Sequence, residues 1–417
     1  MLESFAYIFG LVALLNIINY KWLKLPSTIG LMIMSIGVVG LLYVLKPLFP
    51  GLFENFCTIV YATDFQHLLF DGLLGFLLFA GAMHINIKDL AKERWSVFMF
   101  AILGTLISTV IVGVGIYFGA QLFGVELHFV QSLLFGALIS PTDPIAVLSI
   151  LKEANISKSL QLKIEGESLF NDGIGVVVFS GILLFLPSMM GTEGESVSSE
   201  IGLLFLHEAI GGLLFGAVLG TVAYFLMKFV FDNAQLTVII SIACVFTGTA
   251  LAQAIGVSAP LAMVVCGLIV GNAIDINCVE GSKTKESLNE IWEVLEQAFN
   301  GVLFVLIGLS IHLLNFDVMY LVVGLLAILI VLAARFISVY ASYSLLKHKE
   351  QKPLDTVKIL TWGGLRGGIS IALALSLGIY AQSEAIIFIT YIVVLFSIIV
   401  QGLSIKRVVK KVLHGKD

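Results

Sequence analysis

Two aspartates that lie in the middle of long apolar runs carry the most informative chemistry of this sequence. Asp143 lies in the segment SPTDP at 140–144, and Asp172 lies in the segment ESLFNDG at 167–173. A carboxylate at the depth of a lipid bilayer is energetically costly unless something offsets its charge, so such an acid is by default a functional residue. Both side chains are therefore candidates for binding a proton or a cation.

Polar neighbours extend this candidate site. Glu167 and Asn171 are four residues apart and share one face of a predicted helix, whereas Asp172 lies about 100° round from Asn171. The helix can therefore direct one acid towards a cavity and another towards a neighbouring helix. A hard monovalent cation such as Na⁺ prefers several oxygen ligands, and carbonyls freed beside Pro144 would add to the side chains. The candidate Na⁺-binding side chains are Asp172, Asp143, Thr142 and Ser168.

Two of these residues also have simpler structural interpretations. Asp143 can cap the second half of a helix that is broken at the prolines, because Asp is a favoured residue at helix N-termini. Asn171 can form a hydrogen bond to a neighbouring helix, as polar residues in membranes do. Asp172 has no comparable interpretation within its apolar stretch, so it is the strongest candidate.

Two arginines inside apolar segments need partners of their own. Arg335 is costly at mid-membrane unless it pairs with an acid, and we expect Glu167 to be that acid. Arg366, in the run GGLRGG at 363–368, is expected either to bind open backbone carbonyls or to pair with Glu165. Its positive charge would also keep a second cation away. Both arginines are predicted to be structural.

The elements that position these residues are predicted to be membrane helices. Of the 417 residues, 59% are hydrophobic and 12% are charged, which is typical of a polytopic protein surrounded by a lipid bilayer, and no nucleic-acid-binding module is recognised. Apolar windows of about 20 residues predict thirteen spans, near 4–20, 27–45, 68–84, 95–120, 130–151, 162–186, 201–228, 235–253, 259–273, 290–313, 317–346, 357–380 and 384–405.

The distribution of basic residues predicts the orientation of these spans. Cytoplasmic loops collect Lys and Arg, and alternate loops of this prediction, beginning after the first span, hold 20 of the 23 basic residues. On the other side only Lys46 is found, and the two remaining arginines lie inside spans. The amino terminus is therefore predicted to lie outside, as an uncleaved first membrane helix, and the carboxyl terminus in the cytoplasm.

An odd number of spans suits two inverted repeats joined by one further helix. The prediction is a single membrane domain over 1–417, made of a first repeat at about 4–186, a connecting helix at about 201–228, a second repeat at about 235–405 and a short basic tail at 406–417. Span five then matches span twelve, and these two spans hold the prolines and the glycine run. Irregular backbone at membrane depth is tolerated only inside protein or beside a cavity, so both spans are predicted to be unwound.

Motifs for other kinds of chemistry are incomplete. His207 and Glu208 begin an HExxH sequence, but Gly211 stands where the second histidine is required, so no metalloprotease and no other enzyme is predicted. The four cysteines form no CxxC pair, which indicates neither a zinc site nor a disulfide framework.

Further acids have two open interpretations each. Asp71 either lines an outer entrance or lies at a solvated helix end. Four glutamates at roughly helical spacing form either an acidic cytoplasmic funnel that attracts cations or a solvated helix face; they are Glu286, Glu290, Glu293 and Glu296.

Three motifs closely resemble those of the sodium/proton antiporters of the NhaP and NHE type. They are TDP at 142–144, ESLFNDG at 167–173 and WGGLRGG at 362–368, and their order and spacing match through the whole chain, with Asn171 and Asp172 as the most specific pair. The resemblance implies a thirteen-helix antiporter fold with unwound, crossing spans five and twelve, a dimerisation domain and a mobile core domain. A homodimer in a prokaryotic inner membrane is therefore expected.

The resemblance also implies roles for individual residues. Asp172 matches the transporting acid, and Glu167 with Arg335 matches a structural ion pair. The positions around the ion match Thr142, Asp143, Ser168 and Asn171. Many relatives carry an acid in a Phe-Glu-(Ala/Gly) motif where this chain has Ala80, so the resemblance assigns no entry or regulatory acid there.

Together these observations predict a pH-regulating antiporter that exchanges Na⁺, or Li⁺ or K⁺, for H⁺. If Asp172 must be neutralised before the core moves, one proton and one sodium ion give complexes of equal charge, and exchange is one for one and electroneutral. Competition for one carboxylate predicts a bell-shaped pH profile, and no cofactor is expected. A cation channel is the alternative and would show uncoupled current, whereas a receptor or scaffold would tolerate neutral substitutions at Asp143 and Asp172.

Overall fold

The fold is built from helices. The computed structural model describes residues 2–63, 65–143, 156–184, 197–277, 282–346, 353–378 and 383–414. Within these ranges all regular structure is helical, apart from one isolated bridge between Asp143 and Leu365. The predicted all-α class is therefore confirmed.

The described helices are numbered in chain order. Those in the predicted first repeat and connecting helix are α1 (Leu2–Ile18), α2 (Ser27–Leu45), α3 (Pro50–Ala62), α4 (Leu74–Met83), α5 (Ile87–Phe98), α6 (Thr105–Leu122), α7 (Phe129–Ile139), α8 (Lys158–Leu183) and α9 (Val197–Lys228). Those in the predicted second repeat are α10 (Ala234–Ala254), α11 (Ala259–Asn277), α12 (Lys283–Leu309), α13 (Val318–Leu345), α14 (Pro353–Gly363), α15 (Gly368–Ser376), α16 (Ser383–Phe396) and α17 (Gly402–His414). Wider π-helical segments extend or join some of them, at Asn19–Leu23, Leu68–Leu73, Met99–Gly104 and Ser397–Gln401.

Helix length and composition are those of a membrane protein. Among the described residues, nine helical stretches are long and apolar enough to cross a bilayer, and Leu68–Met83 and Phe129–Ile139 are shorter apolar helices. Each of the thirteen predicted spans coincides with at least one helix, and residues 144–151 of span five lie outside the described ranges. The predicted polytopic architecture is confirmed.

Helix α3 was not predicted, because the residues between spans two and three are expected to form a loop. Pro50 occupies its first turn, where a missing backbone N–H does no harm. The helix is amphipathic: Phe53 and Val60 are buried, whereas Leu52 and Tyr61 are exposed. With only 13 residues, it is shorter than the apolar window that identifies membrane spans.

The residues predicted as a basic tail are helical as far as the structure describes them. Span thirteen continues through the π-helical segment into α17, which ends at His414. Ile405 and Val409 are buried on one side of α17 and share a hydrophobic cluster with Val357 and Leu360 of α14. Helix α17 is therefore held against the first half of span twelve.

The two interrupted spans lie at the centre of the fold. Helix α7 packs against α6 and α8, while α15 packs against α7, α12 and α16. Gly136 lets α7 approach α6 closely, because a Cβ at this position would lie 3.1 Å from the backbone nitrogen of Gly113. This packing brings the ends of α7 and α15 together.

Candidate ion-binding site

The breaks in spans five and twelve lie side by side. Helix α7 ends at Ile139, and α14 and α15 are separated by residues 364–367. The backbone N–H of Asp143 donates to the carbonyl of Leu365 at 2.7 Å, which forms the isolated antiparallel bridge. The two unwound segments thus satisfy part of each other's backbone hydrogen bonding inside the protein.

Arg366 binds the open end of α7. Its side chain is buried, and its Nη1 group donates to the carbonyl of Ser140 and, at 3.0 Å, to the carbonyl of Pro141. These carbonyls follow the last helical residue, where the helix dipole is negative, so a guanidinium stabilises this end. Of the two alternatives for Arg366, the structure places it on backbone carbonyls; Glu165 instead accepts a hydrogen bond from Gln161 at 2.7 Å.

Asp143 lies at the opposite kind of helix end. Gly367 precedes α15 as its N-cap, and a Cβ on Gly367 would lie 2.7 Å from the Cβ of Asp143. The carboxylate is therefore beside the positive end of the α15 dipole, which favours an anion. Asp143 and Arg366 thus offset the dipoles of two different helices, α15 and α7. The predicted cap on its own span, from residue 144 onwards, lies outside the described residues.

Glu167 and Arg335 form an ion pair across helices α8 and α13. Arg335 Nη1 contacts Glu167 Oε1, and both residues are at least nine-tenths buried. Arg335 Nη2 also donates to the carbonyl of Leu360 on α14, at 3.4 Å. The charge of Glu167 is thus offset by a fixed partner, which fits the structural role predicted for both residues.

Three of the residues predicted around the ion hydrogen-bond to one another. The Asn171 amide nitrogen donates to Thr142 Oγ1 at 2.9 Å, and its oxygen accepts from the Thr142 backbone N–H at 3.3 Å. The hydroxyls of Thr142 and Ser168 are 3.0 Å apart. All three residues are buried, so this network fixes the strand-like segment of span five to α8.

A cavity of about 590 Å³ separates helices α4, α8, α12 and α15. Asp172 and Asp143 both line it, together with Pro141, Gly367 and Ser370. Asp172 is only 9% exposed, so its side chain is a buried part of the cavity wall. Thr142, Ser168 and Asn171 do not contribute to the described lining, whereas the two aspartates do.

The cavity is also lined by polar residues from one end of the helix bundle. His84 follows α4, Glu165 is in the second turn of α8, and Glu293 and Glu296 lie on α12. All of these helix ends belong to the side predicted to be cytoplasmic. Of the four glutamates at helical spacing, Glu293 and Glu296 line the cavity, which favours the funnel interpretation for these two; Glu286 and Glu290 are exposed. The Asp71 side chain lies outside the described part of the structure.

Three polar residues beside the break in span twelve were not predicted from the sequence. Ser397 accepts a hydrogen bond from the Arg366 backbone N–H at 2.9 Å, and Gln401 donates to the carbonyl of Trp362 at 3.1 Å. Both lie in the π-helical segment of span thirteen, a distortion that is common at functional sites. Ser370 lies in the first turn of α15. A polar residue within an apolar helix was the available signal for each of them.

The chemistry of this arrangement is that of a buried cation or proton site. Two carboxylates face a cavity between interrupted helices, and the helix ends that surround them carry compensating partial charges. Within the described residues, a helical membrane protein in which the end of one helix and the break in another meet beside two acids has the architecture of a secondary ion transporter.

Comparison with known proteins agrees with this class. Residues 10–411 match the transmembrane region of the sodium/hydrogen exchanger family, and the chain belongs to this family. It is 42% identical to the Na⁺/H⁺ antiporter NhaP of Pseudomonas aeruginosa, over 100% of this chain and 98% of that protein. It is 34% identical to the Na⁺/H⁺ antiporter NhaH of Halobacillus dabanensis, over 94% of this chain and 93% of that one.

A solved structure has the same fold. The sodium proton antiporter MjNhaP1 of Methanocaldococcus jannaschii superimposes with a TM-score of 0.72 at 20% sequence identity, and 99% of each chain is covered. The predicted antiporter fold is therefore confirmed.

Proposed function

We propose that this protein exchanges one Na⁺ for one H⁺ across the membrane, with Asp172 as the group that binds either ion. The observation that carries the proposal is the different surroundings of two acids on α8. Glu167 has Arg335 as a fixed partner, whereas no basic side chain among the described residues pairs with Asp172. A buried carboxylate without a fixed counter-charge is stabilised by a cation or a proton from the cavity.

Exchange follows from competition for this carboxylate. The sodium-bound and the protonated forms of Asp172 have the same charge, so both can cross the membrane in a mobile core at similar electrostatic cost. The bare carboxylate cannot, because its charge would be moved through a low-dielectric barrier. One neutralised site per cycle supports one-for-one, electroneutral exchange.

Asp143 is proposed to share the ion with Asp172. It lines the same cavity, and its position at the start of α15 provides oxygen atoms at a helix terminus. Thr142 and Ser168 are proposed to enter the coordination shell through their hydroxyls, which already lie 3.0 Å apart beside the two acids. Sodium is favoured over potassium as the substrate by the names of the relatives, Na⁺/H⁺ antiporters.

The proposed orientation places the mouth of the cavity in the cytoplasm, the amino terminus outside and the carboxyl terminus inside. The charge distribution of the loops supports this orientation. The homodimer and the bacterial plasma membrane remain predictions from the family resemblance.

The test of the site is a pair of matched Asp to Asn substitutions in purified protein. Asp172→Asn is expected to abolish sodium uptake driven by a pH gradient in proteoliposomes, while Asp232→Asn, at an exposed turn, keeps it. Monodisperse elution and an unfolding transition would show that both variants are folded. Sodium/proton exchange retained by folded Asp172→Asn would refute the assignment.

Electroneutrality is tested on the unmodified protein. Exchange is measured with potassium and valinomycin setting a membrane potential of either sign. The rate is expected to be the same at all potentials, and a rate that changes strongly with voltage would exclude one-for-one exchange.

A further inference from the structure

A second, much smaller cavity lies behind the break in span twelve. It is lined by Arg335, Thr361, Gly364, Arg366 and Gln401, with apolar side chains of α13 and α16 around them. Its volume is about 10 Å³, which is at the lower limit for holding one water molecule. It is separate from the large cavity, since the two have no described lining residue in common.

Three residues of this small cavity each carry a buried polar atom without a hydrogen-bond partner in the described part of the chain. These atoms are Arg335 Nε, Arg366 Nη2 and Thr361 Oγ1. The other guanidinium contacts of the two arginines are made with Glu167, Leu360, Ser140 and Pro141. Buried donors without partners are rare, because a polar group removed from water without a replacement hydrogen bond destabilises the fold. Three of them around one void indicate a ligand.

The walls of the cavity hold these groups in place. Gly364 is close to Arg335: a Cβ on Gly364 would lie 2.7 Å from Arg335 Nε. On the other side, Gln401 in the π-helical segment is anchored to the Trp362 carbonyl at 3.1 Å. Arg366 is anchored through its backbone N–H to Ser397 at 2.9 Å. The unpartnered groups therefore belong to α13 and span twelve, and span thirteen anchors the backbone of Trp362 and Arg366 beside them.

The chemistry of the donors defines the ligand. The two guanidinium N–H groups can only donate, whereas the Thr361 hydroxyl can donate or accept. A water molecule accepts from both arginines and donates to the threonine, which satisfies all three atoms. Chloride would accept from the same groups, but it is larger than water and the cavity has room for about one water sphere.

We propose that one water molecule binds in this cavity and joins Arg335, Arg366 and Thr361. Through Arg335 it connects to Glu167 on α8, and through Arg366 to the end of α7. The water is a positioning element that fixes the two arginines relative to each other at the crossing of the broken spans. Its presence does not depend on the ion that the large cavity binds.

The first test is a high-resolution map of the complete protein in a lipid nanodisc. A single density peak is expected within hydrogen-bonding distance of Arg335 Nε, Arg366 Nη2 and Thr361 Oγ1. A map that resolves other buried waters and has no peak here would overturn the proposal. An anomalous bromide peak here, in crystals grown with sodium bromide, would overturn it in favour of an anion.

The second test uses two substitutions of similar size at one position. Thr361→Val removes the hydroxyl and is expected to remove the peak and lower the midpoint of thermal unfolding by about 2 °C or more. Thr361→Ser keeps the hydroxyl and is expected to keep the peak and most of the stability. Equal stability of both variants, or a peak that persists in Thr361→Val, would contradict the assigned role of the threonine. If Thr361→Val does not fold, the map of Thr361→Ser still decides, because loss of the peak there would refute the site.

Discussion

Asp143 and Gly367 are in such close contact that no side chain fits between them. A Cβ on Gly367 would lie 2.7 Å from the Asp143 Cβ and 3.0 Å from its Cγ. Gly367 is the N-cap of α15, so this contact holds Asp143 of span five at a helix terminus in span twelve. The proposed ion site therefore depends on how the two interrupted spans cross.

Gly367→Ala is expected to displace Asp143 and to weaken sodium binding at least tenfold. The added methyl group has no space without a backbone shift, and overpacking of this kind costs about 1–3 kcal/mol. The apparent KM for Na⁺ in proteoliposomes measures the effect. Gly37→Ala is the control, because a Cβ at Gly37 has no neighbour within 4 Å. An unchanged KM in Gly367→Ala would show that the contact with Asp143 is unimportant.

Removing one member of the buried Glu167–Arg335 pair is expected to destabilise the protein strongly. Breaking such a pair costs about 3–5 kcal/mol, because the remaining charge is buried without its partner. Arg335→Met and Glu167→Leu should therefore each lower the unfolding midpoint more than the double variant does. The midpoints of all four proteins in the same detergent complete the cycle.

An exposed ion pair provides the comparison for this cycle. Lys92 contacts Asp89 at 2.7 Å with its side chain 75% exposed, so Lys92→Gln is expected to leave the midpoint unchanged. If the double variant at positions 167 and 335 is as unstable as the sum of the single ones, the two charges do not act as a pair.

Acidic pH is expected to raise the apparent KM for Na⁺. A proton and a sodium ion compete for Asp172. Once the protonated form predominates, the apparent KM for Na⁺ therefore increases by about tenfold for each unit by which the pH falls. At alkaline pH the rate should fall because protons for the return step become scarce. Rates measured over a sodium series at each pH test both arms. A KM for Na⁺ that is independent of pH would rule out a shared carboxylate.

Cys244 and Cys266 are expected to form a disulfide when a membrane-permeant oxidant is added. Their sulfur atoms lie 3.3 Å apart between α10 and α11, and both residues belong to one buried hydrophobic cluster. Loss of two reactive thiols in denatured protein, detected with a maleimide reagent, measures the reaction. Cys244→Ser is the control and should leave Cys266 in its thiol form. A wild-type protein that keeps both thiols under these conditions would contradict the packing of α10 against α11.

The sequence by itself determined that this protein is surrounded by lipid and where its membrane helices lie. Apolar runs of bilayer length fix where membrane helices form, because every backbone polar group in lipid must be satisfied within the helix. Asp172 was identified from the same pattern, since an acid in such a run has few structural uses. Helix α3 was not predicted in this way, because a 13-residue amphipathic helix has neither the length nor the uniform apolarity of a membrane span.

Only the tertiary structure decided which polar groups meet. Glu167 and Arg335 are 168 residues apart in sequence and Arg366 and Ser140 are 226 apart, so hydrogen-bond partners at such distances depend on helix packing. The sequence left two possible partners for Arg366, open backbone carbonyls or Glu165. Because α7 ends beside Arg366, its side chain binds the carbonyls of Ser140 and Pro141. The orientation of Thr142 towards Asn171, and of Asp172 towards the cavity, was decided in the same way: a helix fixes the angle between its side chains, but its neighbours determine what each side chain faces.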